Sequence, residues 1–130
     1  MQPPASLHPR LEGLPATLLN AIAEGSVFNG HGEKTPLHSN ISQSEAETLY
    51  KVVREGKPTY SVEVGFAQGV SAMAILKGLA DNEKGIHHVI DPFQGNYEDA
   101  GLAMVERAGL DSRLEFHRKF AEEVIPSLPR

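Results

Sequence analysis

The stretch Val62-Glu63-Val64-Gly65-Phe66-Ala67-Gln68-Gly69-Val70-Ser71 gathers a carboxylate, two spaced glycines and a hydroxyl within ten residues. Gly65 admits backbone where a side chain would collide with a ligand, Gly69 admits a positive φ or a close contact, and Ser71 sets a hydroxyl beside the free N–H groups of a helix start. A strand, a glycine turn and a helix in that order lay a loop under a ligand and aim a helix N-terminus at it, which suits a nucleotide-like cofactor. Glu63 stands in an otherwise apolar strand, so its carboxylate needs a partner, either a ligand ammonium or the loop amides. Asp91 closes Ile86-His87-His88-Val89-Ile90-Asp91-Pro92-Phe93. At the end of a neighbouring strand it would accept from two vicinal ribose hydroxyls. The bland alternatives are a tight strand-to-helix turn with Glu63 capping a backbone group, and an ordinary Asp-Pro turn. The spacing is neither Gly-x-Gly-x-x-Gly nor a phosphate loop ending in Gly-Lys-Ser/Thr.

Strands and helices must alternate to bring these groups together. Tyr60–Val64 reads as a first strand, 70–80 as a helix, Ile86–Ile90 as a second strand, 97–108 as a helix, 113–117 as a third strand and 121–125 as a short helix. Upstream, Ser42-Gln43-Ser44-Glu45 has capping-box spacing, and Ala46, Leu49, Val52 and Val53 form an apolar stripe that Gly56 and Pro58 end. Residues 25–40 read as loop, Leu14, Leu18, Leu19 and Ile22 as one side of a short helix, and 1–9 as an extended lead-in. The expected fold is α/β, a Rossmann-like three-layer arrangement with a partial parallel sheet of strand order 3-2-1, truncated before a fourth strand. Strand 1 would then be an apolar exposed edge, which a homo-oligomer or a further C-terminal segment would cover.

Composition narrows the partners. The 130 residues, 40% of them hydrophobic, suffice for one modest core. A net charge of -5 gives no reason to expect nucleic acid or an anionic membrane. The absence of cysteine removes disulfides and thiolate chemistry and fits a reducing, cytoplasmic setting. No signal-peptide pattern and no apolar span of about 18 residues is found.

Glu63-x-Gly65-x-x-x-Gly69-x-Ser71, followed by Val89-Ile90-Asp91-Pro92, resembles the first two motifs of class I S-adenosylmethionine-dependent methyltransferases, particularly small-molecule O-methyltransferase-like members. The strong part of the resemblance runs from Tyr60 to Phe93, with a weaker extension from Asn40 to the last residues. It implies S-adenosyl-L-methionine as cofactor, with Glu63 and Gly65 under its methionine portion, Phe66 among the cofactor-binding residues, Gly69 and Ser71 along the loop and helix start, and Asp91 on the ribose. It further implies Asn40 and Ile41 approaching from the loop before the capped helix, and Ala121 and Glu122 near adenine. The corresponding expectation is an N-terminal cofactor-binding portion only, with 1–24 an extension and short helix and 25–130 a partial cofactor-binding domain. Such a portion would serve a methyltransferase acting on a small-molecule acceptor without being competent alone. The acceptor-positioning residues, the catalytic base and any metal cluster are not found in it.

The histidines do not read as a metal site. His87 and His88 are adjacent on a strand and face opposite ways, so a structural or solvent-facing role is the expectation for both. His38 and His117 are candidates for a base near the cofactor mouth. Asn96 to Asp99 reads as a helix start with an acidic first turn, Tyr97 covering a pocket rim. Two rival functions stay open: a nicotinamide dinucleotide-binding oxidoreductase fragment, and a non-catalytic interaction module that retains the fold.

Overall fold

The computed structural model describes residues 12–38 and 40–129, so the lead-in expected over 1–9 lies outside the described residues. In chain order the elements are α1 (Ala16–Glu24), β1 (Ser26–Phe28), β2 (Lys34–Pro36), α2 (Gln43–Gly56), β3 (Tyr60–Val64), α3 (Val70–Asn82), β4 (Ile86–Ile90), α4 (Ala100–Arg107), β5 (Leu114–His117) and α5 (Ala121–Val124). They build two sheets, an antiparallel β1-β2 hairpin and a parallel sheet ordered β3-β4-β5.

Five strands in two sheets replace the expected single sheet truncated before a fourth strand. The difference originates in 25–40. Its strands are only three residues long, too short for an alternation pattern to register among glycines and polar residues. Tertiary contacts hold the hairpin instead. Gly30 N donates to Glu98 O at 2.7 Å, and Asn29 Nδ2 donates to Glu98 Oε2 at 2.6 Å.

That docking also delays α4. Glu98 and Asp99 both adopt positive φ, at 50° and 57°, between a 3-10 turn over Gln94–Tyr97 and the helix proper. The expected acidic first turn is therefore absent: Glu98 is engaged by the hairpin, and Asp99 pairs with Arg118 at 2.8 Å. By contrast, the capping box at α2 forms, with Glu45 N donating to Ser42 Oγ at 3.2 Å and Ser42 N donating to Glu45 Oε1 at 2.9 Å. Of the α2 stripe, Ala46 and Val53 are buried, Leu49 is half-buried and Val52 is exposed.

The registers set the two faces of the parallel sheet. Ser61 and Glu63 pair with His87 and Val89, which pair with Leu114 and Phe116, so these six share one face. On that side lies the core, where Val89, Leu114 and Phe116 meet Met73 and Leu76 of α3 and Met104 and Val105 of α4. Leu18 and Ala21 of α1 join the same cluster. Val62, Val64, His88 and His117 belong to the opposite face, where Val62 and Val64 are exposed. Among the described residues β3 pairs only with β4, so its other edge carries no strand.

Candidate functional site

The loop from β3 to α3 holds three left-handed residues, Gly65 at φ 88°, Ala67 at φ 50° and Gly69 at φ 85°. Such a backbone persists only where its surroundings hold it. Three buried side chains do so. Asp91, 5% exposed at the end of β4, accepts from Phe66 N at 2.9 Å through Oδ2 and from Phe93 N at 2.7 Å through Oδ1. Gln94 donates from Nε2 to Ala67 O at 2.8 Å and accepts from Gly101 N at 3.0 Å, tying the loop to α4. Gln68 donates to Pro36 O at 2.7 Å and accepts from His38 N at 3.0 Å, tying the loop to the segment after the hairpin.

The two glycines answer different demands. A Cβ on Gly69 would come within 3.1 Å of Gly101 Cα, so this position needs both its φ and its bareness. At Gly65 a Cβ would meet nothing within 4 Å. Gly65 borders an open cleft of about 360 Å3 beyond the ends of β3 and β4. Asn40, Ile41, Phe66, Gly69, Ser71 and Asp91 also line it, with His38, Phe93 and Tyr97 at its wall. No side chain caps α3, which leaves its first-turn N–H groups for whatever occupies that end.

Seven of the ten residues singled out for a cofactor thus converge on one cleft: Asn40, Ile41, Gly65, Phe66, Gly69, Ser71 and Asp91. Glu63, Ala121 and Glu122 are not among its lining residues. The Glu63 carboxylate lies on the α3 side of the sheet, where Ser71 Oγ donates to Oε2 and His87 Nε2 lies 3.0 Å from Oε1. Ala121 and Glu122 open α5, with Glu122 exposed. Next to them, the Phe120 ring meets Phe93 edge-to-face at 5.8 Å.

Gln68, Gln94 and Phe93 were not foreseen as site residues. A glutamine in a glycine loop carries no spacing signal, and its value lies in partners some 30 positions away in sequence. Of the histidines, His38 lines the cleft, its ring 6.3 Å from Tyr97, whereas His117 stacks on His88 and is not among the lining residues. Among the described residues no three His, Cys, Asp or Glu side chains form a metal-holding group, and no helix is long and apolar enough to cross a membrane.

A parallel sheet with a glycine loop and an acidic strand end opening on one cleft defines a Rossmann-like nucleotide-site fold. Comparison with known proteins narrows this class. The family model described as "Methyltransferase domain" matches residues 62–130, more than half of the chain, and the chain belongs to that family. No curated protein sequence matches it. Among solved structures it is similar to the Podospora anserina methyltransferase PaMTH1 bound to SAH, at 17% identity and a TM-score of 0.70, over 92% of this chain and 48% of that one. It is also similar to TomG, an O-methyltransferase from Streptomyces achromogenes in complex with SAM, at 17% identity and TM-score 0.65, over 97% and 51%. A third is the O-methyltransferase from Bacillus cereus in complex with SAH, at 21% identity and TM-score 0.61, over 93% and 49%.

These likenesses establish the fold, and the chain spans about half the length of the structures it matches. They also correct the expectation of a likeness limited to an N-terminal cofactor-binding portion. The family match runs through residue 130, and the structural matches take in nearly the whole chain. Both the family match in sequence and the structural matches thus extend well past Phe93.

Proposed function

We propose that this chain binds S-adenosyl-L-methionine in the cleft beyond β3 and β4 and serves methyl transfer to a small-molecule acceptor. The observation that carries the reading is the pairing of Gly65, open toward the cleft at φ 88°, with the buried carboxylate of Asp91 across the same space. The donor set fits the group. A carboxylate at a strand end suits ribose hydroxyls, and each Asp91 oxygen retains a lone pair after its amide bond. Ser71 and the uncapped start of α3 suit the charged amino-acid end, while Phe93 and Phe120 offer ring surface for a base. Asn40 and Ile41 supply the wall facing the loop. Glu63 serves through Ser71, and Ala121 and Glu122 through the placement of Phe120.

When bound, the cofactor supplies a methyl group on a sulfonium. This chain's residues hold and orient it, and the mostly uncharged lining, with Asp91 its one carboxylate among the described residues, suits a small acceptor rather than a polyanion. Calorimetric titration with S-adenosylhomocysteine, in the presence and absence of NAD, tests the reading. Saturable binding that NAD leaves unchanged is expected. Binding of NAD with displacement of S-adenosylhomocysteine would move the chain to dinucleotide chemistry, and binding of neither would make the site a remnant of the fold.

A further inference from the structure

His87 is wholly buried in β4, the central strand of the parallel sheet, and the cofactor reading gives it no task. A polar ring in such a place must have partners on both nitrogens or cost stability. It has both: Ser61 Oγ lies 2.7 Å from Nδ1, and Glu63 Oε1 lies 3.0 Å from Nε2. The second Glu63 oxygen takes the hydroxyl proton of Ser71, a residue that lines the cleft.

The donor inventory gives this chain of contacts a direction. A carboxylate only accepts, so the hydrogen between His87 and Glu63 sits on Nε2. In the neutral ring Nδ1 is then an acceptor, and Ser61 is its donor. The order that bears on the cleft is His87 to Glu63, with Ser71 donating to Glu63 from the far side. Ser71 has a single O–H hydrogen, and Glu63 takes it. Toward the cleft Ser71 therefore presents lone pairs only.

We infer that His87 is a positioning residue for the cleft: by donating from Nε2 it holds the Glu63 carboxylate where it takes the Ser71 proton, so that Ser71 meets a ligand purely as an acceptor and favours one bearing an ammonium there. This rests on the cofactor reading above and extends it to a residue that touches no ligand. A histidine serving the core alone would leave ligand selectivity unaffected by its replacement.

Two ligands separate these cases: S-adenosylhomocysteine carries the ammonium, and 5′-methylthioadenosine shares the nucleoside but lacks the amino-acid end. In His87→Phe the affinity for S-adenosylhomocysteine is expected to fall roughly tenfold, the loss of about one charge-assisted hydrogen bond, while that for 5′-methylthioadenosine stays within about twofold. In a Ser71→Ala background the same replacement should change S-adenosylhomocysteine affinity by less than about twofold, because the group it acts through is gone. His87→Gln, which restores an amide donor, should recover most of the affinity. Equal losses for both ligands, or full additivity with Ser71→Ala, would overturn the inference while leaving the cofactor reading intact. Failure of the wild-type protein to bind either ligand would overturn both. Should the His87 variants fail to fold, nitrogen-15 spectra of the wild-type imidazole decide the matter independently, with a protonated Nε2 expected and an unprotonated Nε2 fatal to the proposed direction.

Discussion

His87 and His88 are consecutive residues of β4 that live in different surroundings. His87 faces α3, fully buried, with both nitrogens engaged by Ser61 and Glu63. His88 faces the other side of the sheet, half-buried, its ring stacked on His117 at 5.5 Å and its Nδ1 3.2 Å from His117 Nε2. Around them the faces differ likewise. One carries the core and leads through Glu63 and Ser71 to the cleft, and the other leaves Val62 and Val64 exposed. The same residue type is fully enclosed with partners on both ring nitrogens on one face, and half-buried against a second imidazole on the other.

The largest effect that would break this contrast is on stability. His87→Leu removes the partner of Ser61 and one of the two partners of the Glu63 carboxylate, Ser71 remaining, and is expected to cost about 1 to 3 kcal/mol, read as a fall in the urea midpoint. A loss below about 1 kcal/mol would erase the distinction between the faces. At the end of the same strand, Asp91→Ala frees Phe66 N and Phe93 N and removes the acceptor facing the cleft. S-adenosylhomocysteine affinity should fall by about 1 to 3 kcal/mol in calorimetry, and an unchanged Kd in a folded variant would remove Asp91 from the site.

On the opposite face the expected effect depends on pH. Burial, followed by the neighbouring His117, holds the His88 imidazole below the ordinary histidine range, with Glu115 opposing and His87 adding to the lowering. The unfolded chain thus takes up this proton first. The contribution is fully present above the unfolded value of about 6.5 and is lost as the pH falls through the lower folded value. His88→Gln should therefore flatten the decline of the urea midpoint between neutral and mildly acidic pH, and an unaltered slope would contradict that assignment. The smallest change is expected at Val64, 63% exposed on the edge strand, where replacement by threonine should alter stability by less than about 0.5 kcal/mol in the same urea assay. A larger loss would mean that this face is covered in solution.

Much of the candidate site and of the helix beside it was legible because these signals are local. A glycine that needs a positive φ, a serine three positions before a glutamate, and an aspartate closing an apolar strand each state a conformational demand within a few residues. Gly65, Gly69, Ser42 and Asp91 are of this kind. Glu63 was legible as a carboxylate needing a partner, expected in a ligand ammonium or the loop amides, whereas the structure supplies Ser71 and His87. The hairpin escaped notice because its three-residue strands depend on Asn29 and Gly30 gripping Glu98, about 70 positions further along.

The sequence by itself determined the alternation of strands and helices from β3 onward, the place of the glycine turn and the presence of a carboxylate at the end of β4, since side-chain period, turn chemistry and capping act over one or two turns of chain. Only the tertiary structure decided that Gln68 and Gln94 hold the loop in its left-handed form, that Glu63 faces α3 rather than the cleft, and that His87 is enclosed while His88 is not. Those outcomes hang on hydrogen bonds between residues 7 to 32 positions apart, whose donors and acceptors meet only after the helices have packed on the sheet.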